Sequence, residues 1–406
     1  MPVLGFLAVW IVVFAIPWEN VLMLPGVGTI TRLLGMVAVA VAICVILVRG
    51  RVRRPNAFHW FALAFLLYGC ASLYWTIDRG ESMMRVWKNL QIIALLWLIW
   101  EATATAKRRE GLMQAYVLGA WVTVYQTYEM FRAGIGRVGG TRFAASENFN
   151  PNDMGFLLVL ALPLAWHLSI THRNLLLRWL NRLYIPAGVF TISLTGSRSG
   201  LILACLALCI VPWSLPQLNL RLKVVTAAIL TAGVVLALTY APERTLERLS
   251  TTGTELMSGD LNDRTEIWRA GMEVLPQYML IGSGAGSYSK AVSAALGAEH
   301  SAHNAYVSVV VEQGLVGLVL FLALLAVSFQ HARTAPPQER KLLIILWLTL
   351  VVGLTPRAWE SKKATWLVFG LLNGSAVAGA VAPAPLTPEL RPSLRASRRR
   401  PVPGTV

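Results

Sequence analysis

The sequence predicts an all-α, polytopic integral membrane protein with roughly twelve transmembrane helices. Three observations predict it. Hydrophobic residues make up 56% of the 406-residue chain and charged residues only 14%, where a soluble protein carries about a quarter charged residues. Apolar runs long enough to cross a bilayer recur along the chain. They are continuous rather than alternating, which selects helices over a closed barrel as the way to pair every backbone group in lipid.

Spans are expected near 3–18, 29–48, 57–76, 86–106, 111–131, 153–171, 183–196, 199–215, 222–241, 304–329, 341–355 and 363–382. The run at 183–196 is short and reads as half-inserted or tilted. The first run is expected to be a span rather than a cleaved signal peptide. No basic segment precedes it, and Glu19 and Asn20 follow it where a small-residue cleavage site would stand. Residues 1–241 thus hold transmembrane helices 1–9, and 303–382 hold helices 10–12. Residues 242–302 are too polar to span and form a helical loop, with helical apolar spacing at 263–275 and 287–298. The tail 383–406, rich in Pro and Arg, reads as disordered and basic.

Charge sets the orientation. The loops after even-numbered spans carry Arg49 to Arg54, Lys107 to Arg109, Arg173 with Arg178 and Arg182, Arg221 with Lys223, and Arg333 with Arg340 and Lys341. The tail adds five more arginines. Only Glu101, Glu110, Glu339 and Glu389 share that side, so it holds the entire formal charge of +16. The positive-inside rule makes this the cytoplasmic side of an inner membrane, with both termini there. The other half is net neutral. A strongly basic chain can signal nucleic-acid binding, but this charge is topological. Anionic headgroups of membrane lipids are the expected partners of the basic loops.

Cys44, Cys70, Cys205 and Cys209 all fall in apolar spans, so they are expected to be small packing residues without disulfides.

Unusual polar residues collect on the extracytoplasmic face. Arg142 is followed by Asn150-Pro-Asn152-Asp153 before the sixth span. Thr195-Gly-Ser-Arg198-Ser-Gly200 forms the turn between spans seven and eight. Arg264, Trp268 and Arg269 lie in the long loop. His303-Asn304 opens the tenth span, and Arg357 follows the eleventh. A guanidinium in a Gly/Ser turn with free amides suits a phosphate; the bland alternative for Arg198 is a snorkelling side chain paired with a headgroup. Arg142, Arg264 and Arg357 at the same level favour an anion site. His303 near arginines stays neutral more readily, the form that accepts a proton from a hydroxyl. His300 with His303 is a poor metal pair, since no Cys or close carboxylate pair completes it. Glu312, nine residues further on, is an ionisable group in an apolar helix and either functional or structurally paired. The run 282–286, Gly-Ser-Gly-Ala-Gly, lacks a preceding strand and reads as a turn that lets helices pack closely.

In this order and on this topology, Arg142 with Asn150-Pro-Asn152, the Thr195–Gly200 turn, Arg264 with Trp268, His303-Asn304-Ala-Tyr306 and Glu312-Gln-Gly314-Leu-Val-Gly317 resemble the O-antigen ligase family. Its superfamily is shared with O-antigen polymerases and pilin O-oligosaccharyltransferases. The resemblance implies a GT-C-like glycosyltransferase acting at the periplasmic face, with no metal and no cofactor. The donor would be O-antigen on undecaprenyl diphosphate, and the acceptor a sugar hydroxyl of lipid A–core oligosaccharide. His303, Arg198 and Arg264 would be catalytic. Arg142, Asn150, Asn152, Arg269, Asn304, Glu312 and Arg357 would bind substrate. A polymerase or a protein-directed transferase shares the donor. A lipid-linked glycan transporter would need polar groups near mid-membrane and often internal repeats; mid-span charges are few, the polar cluster lies at the outer surface, and no convincing repeat is found.

Overall fold

The computed structural model describes residues 2–24, 26, 28–50, 52–136, 142–240, 243, 247, 250 and 264–374. The expected tail at 383–406, the end of the twelfth span and Asp263 lie outside the described residues. Fifteen α-helices are named here: α1 (Val3–Ala15), α2 (Ile30–Arg49), α3 (Ala57–Ala71), α4 (Arg79–Ala102), α5 (Ala106–Arg132), α6 (Pro151–Thr171), α7 (Leu175–Leu194), α8 (Arg198–Leu208), α9 (Ile210–Ser214), α10 (Leu220–Tyr240), α11 (Arg264–Tyr278), α12 (Tyr288–Leu296), α13 (Ala305–Thr334), α14 (Pro337–Leu354) and α15 (Lys363–Gly374). The sheet among the described residues is one short antiparallel pair, Met23–Leu24 with Gly28–Thr29. The chain is an all-α polytopic membrane protein.

Each expected span falls on a helix of the bundle, with 199–215 divided between α8 and α9. Among the described residues, five helical segments are apolar and long enough to cross a membrane by length and composition: 30–48, 57–74, 151–171, 198–217 and 305–334. Others are diluted by polar side chains that find partners inside. Gln114 of α5 and Asn181 of α7 exchange hydrogen bonds of 3.2 and 2.8 Å, which removes the cost of an unpaired amide. Span seven differs from its expectation. α7 runs for 20 residues, about 30 Å, and starts eight residues earlier than the apolar run. Asn174 caps it by accepting from the Leu177 amide, and buried Arg182 donates to the Ser169 carbonyl. These polar residues hid its first two turns from a hydropathy reading.

α6 is the central helix, with 89% of its apolar window buried, whereas α2 at the periphery has only 17% buried. Tyr116 and Tyr184 donate to the Leu157 and Leu158 carbonyls, each at 3.0 Å, tying α5 and α7 to it. Asn150 caps α6, with Pro151 in the first turn where its missing N–H costs nothing. Cys44, Cys205 and Cys209 are exposed on outer helix faces rather than packed in the core. They meet lipid, where a thiol is apolar enough to be tolerated.

Ion pairs show which helix ends share a face. At one end Arg109 holds Glu339 at 2.8 Å and reaches the Gly374 carbonyl, while the Arg53 amide donates to Glu101. At the other end Lys363 binds Glu19 at 2.6 Å, and Arg85 binds Glu360 at 2.7 Å and Glu312 at 3.6 Å. The loops that carry Arg53, Arg109 and Glu339 therefore share the first end.

α11 and α12 form a small cap at the second end. Ile267, Ala270, Tyr288 and Val292 pack on Val310 and Val311 of α13. α13 itself breaks at Gly314, whose φ of 64° and ψ of −165° leave the helical region. The freed groups pair with the glycine-rich segment. The Ser283 and Gly284 amides donate to the Val311 and Glu312 carbonyls, both at 2.9 Å. The Leu315 amide donates to the Met279 carbonyl at 2.8 Å. Non-helical backbone at this depth is tolerated because protein pairs it. The 282–286 run is thus the expected close-packing turn, fitted to a helix break that the sequence did not predict.

A Cβ on residue 314 would lie 2.3 Å from the Leu280 carbonyl oxygen, on a backbone that already disfavours L side chains. Gly314→Ala is expected to destabilise the cap by at least about 2 kcal/mol, seen as a lower melting temperature and faster proteolysis between α11 and α12 in detergent. Unchanged melting and cleavage would contradict this role of the break.

Candidate active site at the capped end of the bundle

The loop before α6 and the start of α6 build the floor. Asn150 Oδ1 accepts from the Asn152 amide at 2.9 Å. Asn152 then serves two arginines. Its Oδ1 accepts from Arg142 Nη2 at 2.7 Å, and its carbonyl accepts from Arg357 Nη2 at 2.8 Å and Nε at 3.2 Å. Arg142 also donates to the Thr195 carbonyl at 2.8 Å, and Arg357 Nη2 reaches Ser199 Oγ at 3.1 Å. Arg198 opens α8 between those two anchor points, and Ser197 caps that helix through the Gly200 amide. The Asn150-Pro-Asn152 and Thr195–Gly200 motifs are therefore one structure, cross-tied by Arg142 and Arg357.

Arg357 is 3% exposed and stacks over Phe156 at 4.8 Å. Its Nη1 is buried with no hydrogen-bond partner among the described residues. Burial pushes its pKa down to about 10, against the pull of Asp153 and with a push from Arg264. It stays cationic at neutral pH, so a buried, charged donor stands unsatisfied. That is a costly arrangement unless an anion arrives.

The opposite wall is the turn before α13. Trp268 of α11 donates its indole N–H to the Ala302 carbonyl at 2.8 Å. Asn304 caps α13 by accepting from the Tyr306 and Val307 amides at 2.9 and 3.2 Å. His303 is pinned between these two anchors with φ +45°, the one non-glycine residue with positive φ among the described residues. Such outliers persist where surrounding structure over-determines them, often at functional sites. Its side chain is solvent-exposed at the mouth, with Nε2 and Ser301 Oγ 3.2 Å apart and either able to donate. Partial burial lowers its pKa below 6.5. Arg264, His300 and Arg357 lower it further, and Asp153 opposes them. His303, Arg264, Arg357 and Asp153 thus share one electrostatic neighbourhood, although they come from four separate segments.

Not every expected residue joins it. Arg269 is exposed one turn along α11. Asn304 Oδ1 is occupied by its capping bonds. Glu312, 2% exposed, accepts from the Gly286 amide at 2.8 Å and pairs with Arg85, so the structural pairing considered for it is present. Sequence reading missed Arg85, Glu360, Trp359 and Lys362. Trp359 donates to Asp153 at 2.8 Å, and Lys362 lies 3.7 Å from that carboxylate. The signal available was weak: a tight run of charged and aromatic residues between α14 and α15.

The fold and this cluster define a polytopic helical membrane protein with a cationic, histidine-bearing site at the capped end. A family model described as O-antigen ligase matches residues 183–322, which bears out the resemblance to that family. The matched stretch contains Arg198, Arg264, His303 and Glu312, while Arg142, Asn152 and Arg357 come from outside it. The match covers about a third of the chain and shows what that stretch is similar to. None of the curated proteins compared matches the chain.

His303 is expected to titrate below 6.5, and Arg264→Gln, by removing a positive field, to move that titration upward. The pH dependence of its modification by diethyl pyrocarbonate measures both. A wild-type midpoint at or above 6.5, or a downward shift in the variant, would refute the arrangement.

Proposed function

We propose that the protein is an O-antigen ligase. It transfers O-antigen from undecaprenyl diphosphate to a sugar hydroxyl of lipid A–core oligosaccharide at the periplasmic face of the inner membrane. The observation that carries this reading is the buried, unsatisfied Arg357 Nη1 beside Arg264 and a His303 held neutral at the mouth. The positive-inside rule, applied to the basic loops, supports a periplasmic site and cytoplasmic chain ends.

The chemistry follows from charge. The donor's anomeric carbon is activated by its diphosphate. As that C–O bond breaks, negative charge grows on the leaving oxygen. Arg198, Arg264 and Arg357 stabilise it in a partly dry site, the kind of preorganised field that supplies much of catalysis. Arg142 and Asn152 support Arg357. His303 accepts the acceptor hydroxyl's proton as the oxygen attacks the opposite face of the anomeric carbon, giving inversion. The arginines take the electrostatic role that a divalent metal plays in many nucleotide-sugar transferases. Asn150 and Asn304 act through the helix starts they cap, and Arg269, exposed beside the mouth, contacts the incoming glycan. Glu312 serves by holding the floor of the cap.

Vesicles containing the protein, purified lipid-linked O-antigen and lipid A–core, without nucleotide, are expected to yield ligated lipopolysaccharide. His303→Ala and Arg357→Ala should each lower the rate by about 10² to 10³. Lengthened lipid-linked chains in place of ligated product would assign a polymerase. Wild-type rates in both variants would remove these residues from the mechanism.

A further inference from the structure

The cap carries an apolar edge that stays exposed in the folded chain. α11 descends beside the outer half of α13, with Trp268 bonded at the level of Ala302 and Met279 at the level of Leu315. Its exposed face is mostly polar on the way down, with Glu266, Arg269, Glu273 and Gln277 and with Met272 among them. Then the character reverses. Met279, Leu280 and Ile281 follow in a row, 47%, 69% and 49% exposed.

These side chains cannot turn inward, because their backbone is fixed on two sides. The Met279 and Leu280 carbonyls accept from the Leu315 and Val316 amides of α13 at 2.8 and 3.4 Å. The Ile281 carbonyl accepts from the Tyr68 hydroxyl at 3.1 Å and from the Trp75 indole at 3.3 Å. Two residues on, the Ser283 carbonyl accepts from the Ile77 amide at 3.0 Å.

Depth tells what lies against them. Below Gly314, α13 continues to Thr334, about 30 Å at the usual rise, which is the thickness of a bilayer's hydrocarbon core. α3 and the single turn after it cover 57–74, about 27 Å. The two helices run in opposite directions, and both put Ile281 at the core boundary of the capped end. Tyr68, Tyr74 and Trp75 stand at that level, and such rings gather where lipid meets water. The edge is also continuous with an apolar face of α13, since Leu315, Val316 and Val319 are exposed along the next turn.

We propose that Met279, Leu280 and Ile281 insert among the acyl chains of the leaflet at the capped end, so that the cap is anchored in the bilayer as well as in the bundle. The partner is lipid hydrocarbon, and the ligase reading plays no part in the assignment. The anchor fixes a height. Asn304 precedes Gly314 by ten residues, about 15 Å along α13, more than the depth of one headgroup layer. The mouth with His303 is thereby held above the hydrocarbon, in water.

The unaltered protein, one copy per phosphatidylcholine nanodisc, tests this through its own methionines. Met272, 52% exposed, and Met279 are similarly open in the folded chain, but only Met279 lies at the acyl level. A charged, water-soluble oxidant such as chloramine-T should convert Met272 to its sulfoxide at least about fivefold faster than Met279. A second measurement identifies the cover. With Cys44, Cys70, Cys205 and Cys209 changed to Ala, a fluorophore on Leu280→Cys should be quenched by lipids brominated on the acyl chain and spared by iodide. The same fluorophore on Glu273→Cys should show the reverse. Equal oxidation of the two methionines would overturn the anchor. Protection of Met279 without quenching by brominated lipid would overturn it too, because protein rather than lipid would then cover the edge.

Discussion

In lipid no backbone amide or carbonyl can be left without a partner, and this structure meets that constraint at the break in α13. Where α13 leaves the helical path at Gly314, the 279–284 segment supplies the missing partners. The cap is thereby hydrogen-bonded into the bundle instead of merely resting on it. The wall of the candidate site that carries His303 inherits its position from that join. α11, which brings Arg264 and Trp268, leads directly into the segment that docks. The outer half of α13, which begins at Asn304, is the part above the break. Glu312 reinforces the join through the Gly286 amide and Arg85.

The site is assembled by cross-ties rather than by any single motif. Asn152 connects Arg142 to Arg357, and Arg357 connects α6 to the start of α8. Each bond consumes part of a guanidinium's donor set and fixes the direction of what remains. The outcome is a planar, weakly hydrated cation held still over Phe156, where it loses little freedom on meeting an anion. On the other wall the indole of Trp268 and the cap at Asn304 hold the backbone of His303 in a conformation it would not choose alone.

Much of the bundle was legible because apolar length is a local property. Spans such as 153–171 and 304–329 can be read without knowing any neighbour. The start of α7 could not be, since Arg178, Asn181 and Arg182 look like loop residues until Ser169 and Gln114 are brought beside them. The same reason explains the site. His303 and the outer arginines stood out as polar residues on one face. Arg85 and Glu360 looked like ordinary charges near span ends, and only folding brings them together across 275 positions. Gly314 looked like a tolerated helix glycine, because a break shows only when its partner strand is known. Asn304 was marked for the right segment, and its cap geometry explains why that residue type stands there.

The Arg85 cluster has a consequence of its own. Two carboxylates, Glu312 and Glu360, share one guanidinium, and Glu360 Oε2 is buried without a partner among the described residues. The cluster stands deeper along α13 than His303, so the capped end carries an ordered change of potential, with cations at the mouth and an excess carboxylate behind them. Such a gradient attracts an anion to the entrance and opposes its further passage inward.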